Sequence, residues 1–162
     1  MKDTNKSVFQ IRSIQEILEP FANVHVPLDI IRLVDVLQML AGQEIAAEMV
    51  FEDDKGDNLY CEDEHLKNNY VQIAANGQGD AWLMNRMDGN LSFFDHNLTQ
   101  PKVTALFIDF WQFLQLADLI HQYEEWIDQI KDFEESDLSE QLRSCLRMLH
   151  PDLPENYPFA FV

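Results

Sequence analysis

"NGQGDAWLMNRMDGNLSFFDHN", residues 76–97, is the stretch on which the fold turns. Ala81 to Met87 and Leu91 to His96 read as two strands whose side chains alternate across a pleat. Between them Asp88-Gly89 offers the positive φ that a tight hairpin turn requires. Leu91, Phe93 and Asp95 fall on one face of the second strand, and Ser92, Phe94 and His96 on the other. On the first strand Trp82, Met84 and Arg86 share a face. A two-residue and a three-residue loop give Trp82 different cross-strand neighbours, and only one of them sets it opposite Asp95; the residues leave both open. Aromatic groups on both faces imply that both are at least partly covered.

Working outward, "NYVQIAA" (69–75) carries Tyr70, Val71 and Ile73 and reads as a further strand. "IAAEMVF" (45–51) reads as a short strand. Residues 8–21 place Val8, Ile11, Ile14, Ile17, Leu18 and Phe21 at helical spacing, with Pro20 at the exit. Residues 28–41 predict a second helix, with Pro27 before it and Gly42 after it. Downstream, residues 105–133 predict one long helix or two with a kink. Its stripe runs through Leu106, Phe110, Phe113, Leu114, Ala117, Leu119 and Ile120 and continues to Tyr123, Trp126, Ile127 and Ile130. Asp137-Leu-Ser-Glu140 has capping-box spacing and starts a last helix that aligns Leu138, Leu142, Cys145, Leu146 and Leu149. Pro151, Pro154 and Pro158 then exclude helix, and the apolar "PFAFV" at 158–162 is expected to dock on the domain. Consecutive strands flanked by helices predict an α+β fold: a twisted antiparallel sheet packed by N-terminal and C-terminal helices.

Size and charge narrow the function classes. A chain of 162 residues is one domain by length and needs neither metal nor disulfide to fold. Twenty-nine Asp and Glu face 11 Lys and Arg, a formal net charge of −18. Such a surface repels phosphate backbones and anionic lipid, so neither nucleic acid nor membrane is an expected partner; a cationic protein is. Cys61 and Cys145 are far apart and show no metal-binding spacing, which suits reduced thiols. The first residues, "MKDTNKSVFQ", show no apolar signal core, and polar residues interrupt the apolar run from Val103 to Ile120. The expected compartment is the cytoplasm.

Common catalytic patterns are missing. Gly77-Gln-Gly79 lacks the third glycine and the helix of a dinucleotide fingerprint, and there is no P-loop and no nucleophile elbow. In "FEDDKGDN" (51–58), setting Gly56 at the turn of a calcium loop puts Phe51 at the first ligand position. The histidines at 25, 65, 96, 121 and 150 sit singly. Only His96 lies in an organised element, beside Asp95, and neighbouring strand residues share a pocket only where the strand ends. No metal and no cofactor is expected. The acids are unevenly placed: residues 52–64 hold Glu52, Asp53, Asp54, Asp57, Glu62, Asp63 and Glu64, and residues 124–140 hold eight more. Packed like charges repel, and a cationic partner relieves that repulsion.

The central stretch resembles that of the SUKH superfamily, which includes bacterial toxin-immunity proteins and a fungal regulator of cell-wall synthesis. The resemblance rests on Gly79-Asp80, the strand Ala81 to Met87, the Asp88-Gly89 turn, the strand Leu91 to Phe94, and Asp95-His96. "ALFIDFWQFLQLADLI" is similar to the family's Phe-rich helix through Phe107, Phe110, Phe113 and Leu114, and "VPLDIIRLVDVLQMLAGQE" to its Pro-led helix, with Ala41-Gly42 at the end. Leu106 stands where the family has serine, and the Leu-Pro-x-x-Tyr wording is absent from the second helix. The resemblance divides the chain into a SUKH-like α+β domain, 1–122, and a helical extension with an apolar tail, 123–162, packed on the same domain. It implies a non-enzymatic module that neutralises a toxin, in keeping with the cationic partner that charge alone suggests. The expected contacts are Asp53, Asp54, Asp57, Glu62, Asp63 and Glu64, with whichever of Trp82, Arg86, Asp95 and His96 face outward. Two other readings are a regulatory scaffold that binds cellular enzymes, and a small-ligand or metal-binding enzyme centred on Asp80, Asp95 and His96.

Overall fold

The computed structural model describes residues 7–22, 31–53, 63–97, 102–129 and 135–160. The elements are α1 (Ile14–Leu18), a 3-10 turn (Glu19–Phe21), α2 (Leu33–Leu40), β1 (Glu44–Ala46), β2 (Met49–Phe51), α3 (Glu64–Asn69), β3 (Tyr70–Ala75), β4 (Ala81–Asn85), β5 (Leu91–Asp95), β6 (Lys102–Ala105), α4 (Phe110–Gln129), α5 (Glu135–Leu149) and α6 (Leu153–Asn156). The six strands form one antiparallel sheet in sequential order. The fold is α+β. Among the described residues no helix is long and apolar enough to cross a membrane.

The sheet has two unequal faces. On the larger one Phe51, Ile73, Ala74, Trp82, Leu91 and Phe93 pack against α4, with α1, α2 and α5 completing the layer. On the other, Ala81, Leu83 and Phe94 bury a smaller patch under Leu66 of α3. Both faces of the central hairpin are therefore covered in part. A bulge lies between Gln72 and Ala74, so Ile73 and Ala74 both reach the larger core. Trp82 is fully buried at the centre of that core, with ring centroids of Phe93 at 4.9 Å, Phe113 at 5.3 Å, and Tyr157 and Phe159 each at 6.3 Å. Its Nε1–H donates to the Glu48 carbonyl at 2.8 Å. Tyr157 and Phe159 thus seat the tail on the sheet's own aromatic cluster.

Helix α4 is enclosed, with Leu116 to Ile120 all buried. That run includes Asp118, which is tolerable only if the charge is answered. Arg12 answers it, with Nε donating to Oδ2 at 2.9 Å and Nη2 donating to Oδ1; Gln122 Nε2 adds a bond at 2.8 Å.

Several expectations are corrected. Residues 8–13 are not helical. Ser13 accepts from the Glu16 N–H while Glu16 takes the Ser13 N–H, a capping box that starts α1 at Ile14. The extended segment before it is held by glutamines: Gln141 accepts from Val8 N at 3.0 Å, and Gln122 both accepts from Gln10 N and donates to Gln10 O. Helix α2 starts at Leu33, because Arg32 is extended and occupies the cap position. Residues 45–51 form two strands, not one, and fold back at Ala47-Glu48.

The β4–β5 connection is residues 86–90, with Asn85 N donating to Asn90 O and Gly89 N to Asn85 O. Only Gly89 has positive φ, and Trp82 comes to lie opposite Phe93, not Asp95. Residues 102–105 form the edge strand β6, although the sequence assigns 102–104 to no element and predicts that Ala105 opens the long helix, and α4 begins only at Phe110. Pro154 falls in the first turn of α6, where its missing N–H costs nothing. Pro27 and residues 28–30 of the expected second helix, Cys61, Ile130, residues 131–133 of the long helix, and Phe161-Val162 lie outside the described residues.

Replacing Trp82 by Ala is expected to lower stability by about 3–5 kcal/mol in urea titrations. Replacing it by Phe keeps most of the packing but leaves the Glu48 carbonyl without its donor, at a smaller cost of about 1–3 kcal/mol.

Candidate functional site

The central hairpin ends in a polar latch. Asn76 starts the β3–β4 turn, and its side-chain oxygen accepts from the backbone N–H of Gln78 and of Asp80, both at 3.0 Å. Its side-chain amide donates to Asp80 Oδ2 at 2.9 Å. Asp80 Oδ1 accepts from the His96 N–H at 3.1 Å and meets His96 Nδ1 at 2.7 Å. A carboxylate only accepts, so Nδ1 carries the proton. Gly79 next to it has a φ of +100°, which disfavours any other residue, and the His96 ring sits against it. Burial tends to raise the Asp80 pKa, but bonds from His96 and Asn76 outweigh it and hold the pKa below the ordinary aspartate range.

Strand β5 stops at Asp95, whose carboxylate accepts from Asn97 N at 2.9 Å, and the chain turns there. The turn brings Asp95 and His96 to one side despite their adjacency. Donor atoms of Asp80, Asp95 and His96 lie within 4.8 Å of one another. Both oxygens of Asp80 are already engaged by His96 and Asn76, so a cation there would have to displace those bonds. An Asp–His pair is also part of a nucleophilic triad. Among the described residues the one hydroxyl lining the adjoining groove is that of Thr104, and no hydrogen bond joins it to His96. The arrangement works as a clasp joining the two ends of the hairpin.

The other expected contact residues are dispersed. Trp82 faces inward and is removed from the surface set, because its ring fills the core. Arg86 is exposed on the β4–β5 loop and Asp53 is exposed after β2. Asp63 is spent in part as the cap of α3, accepting from His65 N at 2.8 Å and Leu66 N at 3.1 Å. Glu64 is exposed and 3.5 Å from Lys67. Asp54, Asp57 and Glu62 lie outside the described residues, as do Asp132 and Glu134 of the second acidic run.

A second group of carboxylates, unremarked as a site in the sequence, gathers at the Ala47-Glu48 turn. Glu124 of α4 accepts the Ala47 N–H through both oxygens, at 3.2 and 3.3 Å. Burial pushes the Glu124 pKa up; the Ala47 N–H and His121 oppose this, and Glu44 and Glu48 reinforce it. The same two acids, Glu124 and Glu48, add to burial in raising the Tyr157 hydroxyl. Glu48 hid in "IAAEMVF" because Ala-Glu is not a turn signal, and Glu124 was one acid among eight in its run.

No family model matches the chain, and neither a curated protein nor a solved structure matches it.

Two outcomes are expected. A folded pKa held below its unfolded value stabilises above the unfolded value, about 3.9 for Asp, and that contribution is lost as pH falls through the folded pKa. Asp80→Asn therefore lowers the unfolding free energy measured in urea at neutral pH by about 1–3 kcal/mol, and flattens the loss of stability on acidification. Glu124 has the opposite sign: a raised folded pKa stabilises only below the unfolded value, about 4.3, and the contribution disappears as pH rises through the folded pKa. Glu124→Gln is expected to raise the urea midpoint at pH 7 while leaving it nearly unchanged near pH 4.

Proposed function

We propose that this chain is a non-enzymatic, SUKH-like immunity protein that neutralises a basic toxin by covering its active site in a stoichiometric complex. The observation that carries this reading is the charge: a net −18 on 162 residues. Among the described residues Arg12, Arg32, Lys67 and Arg147 each pair with one of the chain's own carboxylates, and 29 acidic against 11 basic side chains leave the excess charge negative. An enzyme that grips phosphates, such as a nuclease, needs a basic site, and a carboxylate-rich surface competes for it in place of the substrate.

The latch favours the same reading. Asp80 and His96, the best-organised polar pair in the hairpin, are bonded to each other and to the turn and so shape the hairpin. Asp53, Asp63, Glu64, Arg86, Asp95 and His96 remain the proposed contacts from the hairpin and the first acidic run, together with Asp54, Asp57 and Glu62.

The test is to sequence the reading frames beside this gene for a secreted toxin with a basic C-terminal domain, and to assay that domain purified with and without the chain. We expect a one-to-one complex, loss of toxin activity, and association that slows steeply between about 50 mM and about 500 mM sodium chloride. Paired Asp53→Lys and Glu64→Lys changes should slow association by roughly tenfold. Complex formation indifferent to salt, or turnover of a substrate by the chain alone, would overturn the reading.

A further inference from the structure

The groove beside the Ala47-Glu48 turn has an unusual pairing of walls. Ile120 and Tyr123 of α4, Tyr157 and Phe159 of the tail supply apolar and aromatic surface, while Glu48 and Glu124 add carboxylates. Its volume is about 300 Å³ and it is open to solvent, large enough for a long side chain. Among the described residues no Lys or Arg pairs with either glutamate. The base whose charge reaches Glu124 is His121, which sits 3.5 Å from Glu125. Glu44 and Asp128 add further negative charge nearby.

We infer that this groove is a socket for one arginine side chain of the cationic partner. The inference rests on the proposed function and names where that partner is anchored. Arginine fits better than lysine because its planar guanidinium stacks on aromatic faces while its N–H fork meets carboxylates. The charge of the groove excludes other occupants. A second copy of the chain would bring a net −18 to an already acidic rim. Phe161 and Val162, which follow the groove-lining Ala160, carry no cation to answer Glu48 and Glu124. The half-buried state of Glu124 fits the same role: a carboxylate held partly out of water, with one backbone N–H as partner, is ready to receive a cation without first shedding a full hydration shell.

The experiment is a titration of the full chain with capped arginine, Nα-acetyl-arginine methylamide, followed by backbone amide NMR at low salt. Capped citrulline, neutral and nearly the same shape, is the control. The expected result is saturable shifts at Ala47, Glu48, Tyr123 and Glu124, no binding of citrulline, and affinity at least roughly tenfold weaker in Glu48→Gln and Glu124→Gln. Both variants keep the side-chain shape, and the arginine–citrulline contrast in the unaltered chain decides even where a variant folds poorly. The inference fails if citrulline binds equally, if the shifts scatter over the acidic surface, or if no shift saturates. Binding that appears only after residues 161–162 are deleted also overturns it, since the chain's own tail then fills the groove. So does concentration-dependent dimerisation that removes the same signals. The two readings separate cleanly. Toxin neutralisation at full strength by both glutamine variants sinks the socket alone, and arginine binding by a chain that neutralises no toxin sinks the immunity role alone.

Discussion

A single indole nitrogen governs how the parts of this protein fit together. The Trp82 ring lies wholly inside the core, where an N–H without an acceptor is costly. The acceptor is the Glu48 carbonyl, on a two-residue turn far away in sequence. The turn must therefore fold over β4, and Glu124 fixes it there by taking the Ala47 N–H. The same ring meets Phe113 of α4, Phe93 of β5, and Tyr157 and Phe159 of the tail. Sheet, first hairpin, long helix and tail converge on one side chain, so none of them can shift without disturbing the others.

That convergence also brings acids together at the edge of the core. Glu48 and Glu124 lie beside an aromatic wall because the bond from Trp82 and the bond to Ala47 put them there. Elsewhere the fold neutralises what it buries: Asp118, inside α4, is matched by Arg12 and Gln122. Asp80 is matched by His96 and Asn76. Glu124 has a backbone N–H but, among the described residues, no cationic side chain of comparable closeness. Leaving a half-buried carboxylate in that state is unfavourable for folding, and such a cost is commonly tolerated where a partner makes use of the group.

Much of the framework was legible along the chain. The stripe Leu138, Leu142, Cys145, Leu146 and Leu149 gives the buried side of α5, and Phe110, Phe113, Leu114 and Ala117 give that of α4. Two strands flank Asp88-Gly89 as pleat and turn chemistry predict, but β4 ends at Asn85 instead of Met87 and β5 at Asp95 instead of His96, so the connection is longer than a tight turn. The failures have physical causes. Val8 and Ile11 have helical spacing, but periodicity says nothing of where backbone N–H groups are satisfied, and here glutamines of α4 and α5 take them. Ala47-Glu48 turns the chain without any residue of turn chemistry, because bonds from outside the hairpin hold it. Strand β6 runs straight into apolar residues that continue a helical pattern. The chain breaks at Phe107, which has a φ of 61° and stacks on His150 at 5.5 Å, before α4 begins.

Of the candidate site, the sequence by itself determined the chemistry available: an excess of carboxylates, one Asp-His pair at a strand end, and no cofactor-binding pattern. Those follow from composition and local spacing. Tertiary structure alone decided which of these groups meet. The end of β5 at Asp95 let His96 turn back onto Asp80, and the burial of Trp82 withdrew it from the surface. It also drew Glu48 and Glu124 to one groove, though 76 positions separate them in the chain. Local sequence specifies which bonds a residue can make; only the closed core, which sets the Glu48 carbonyl against the Trp82 N–H, selects the ones it does make.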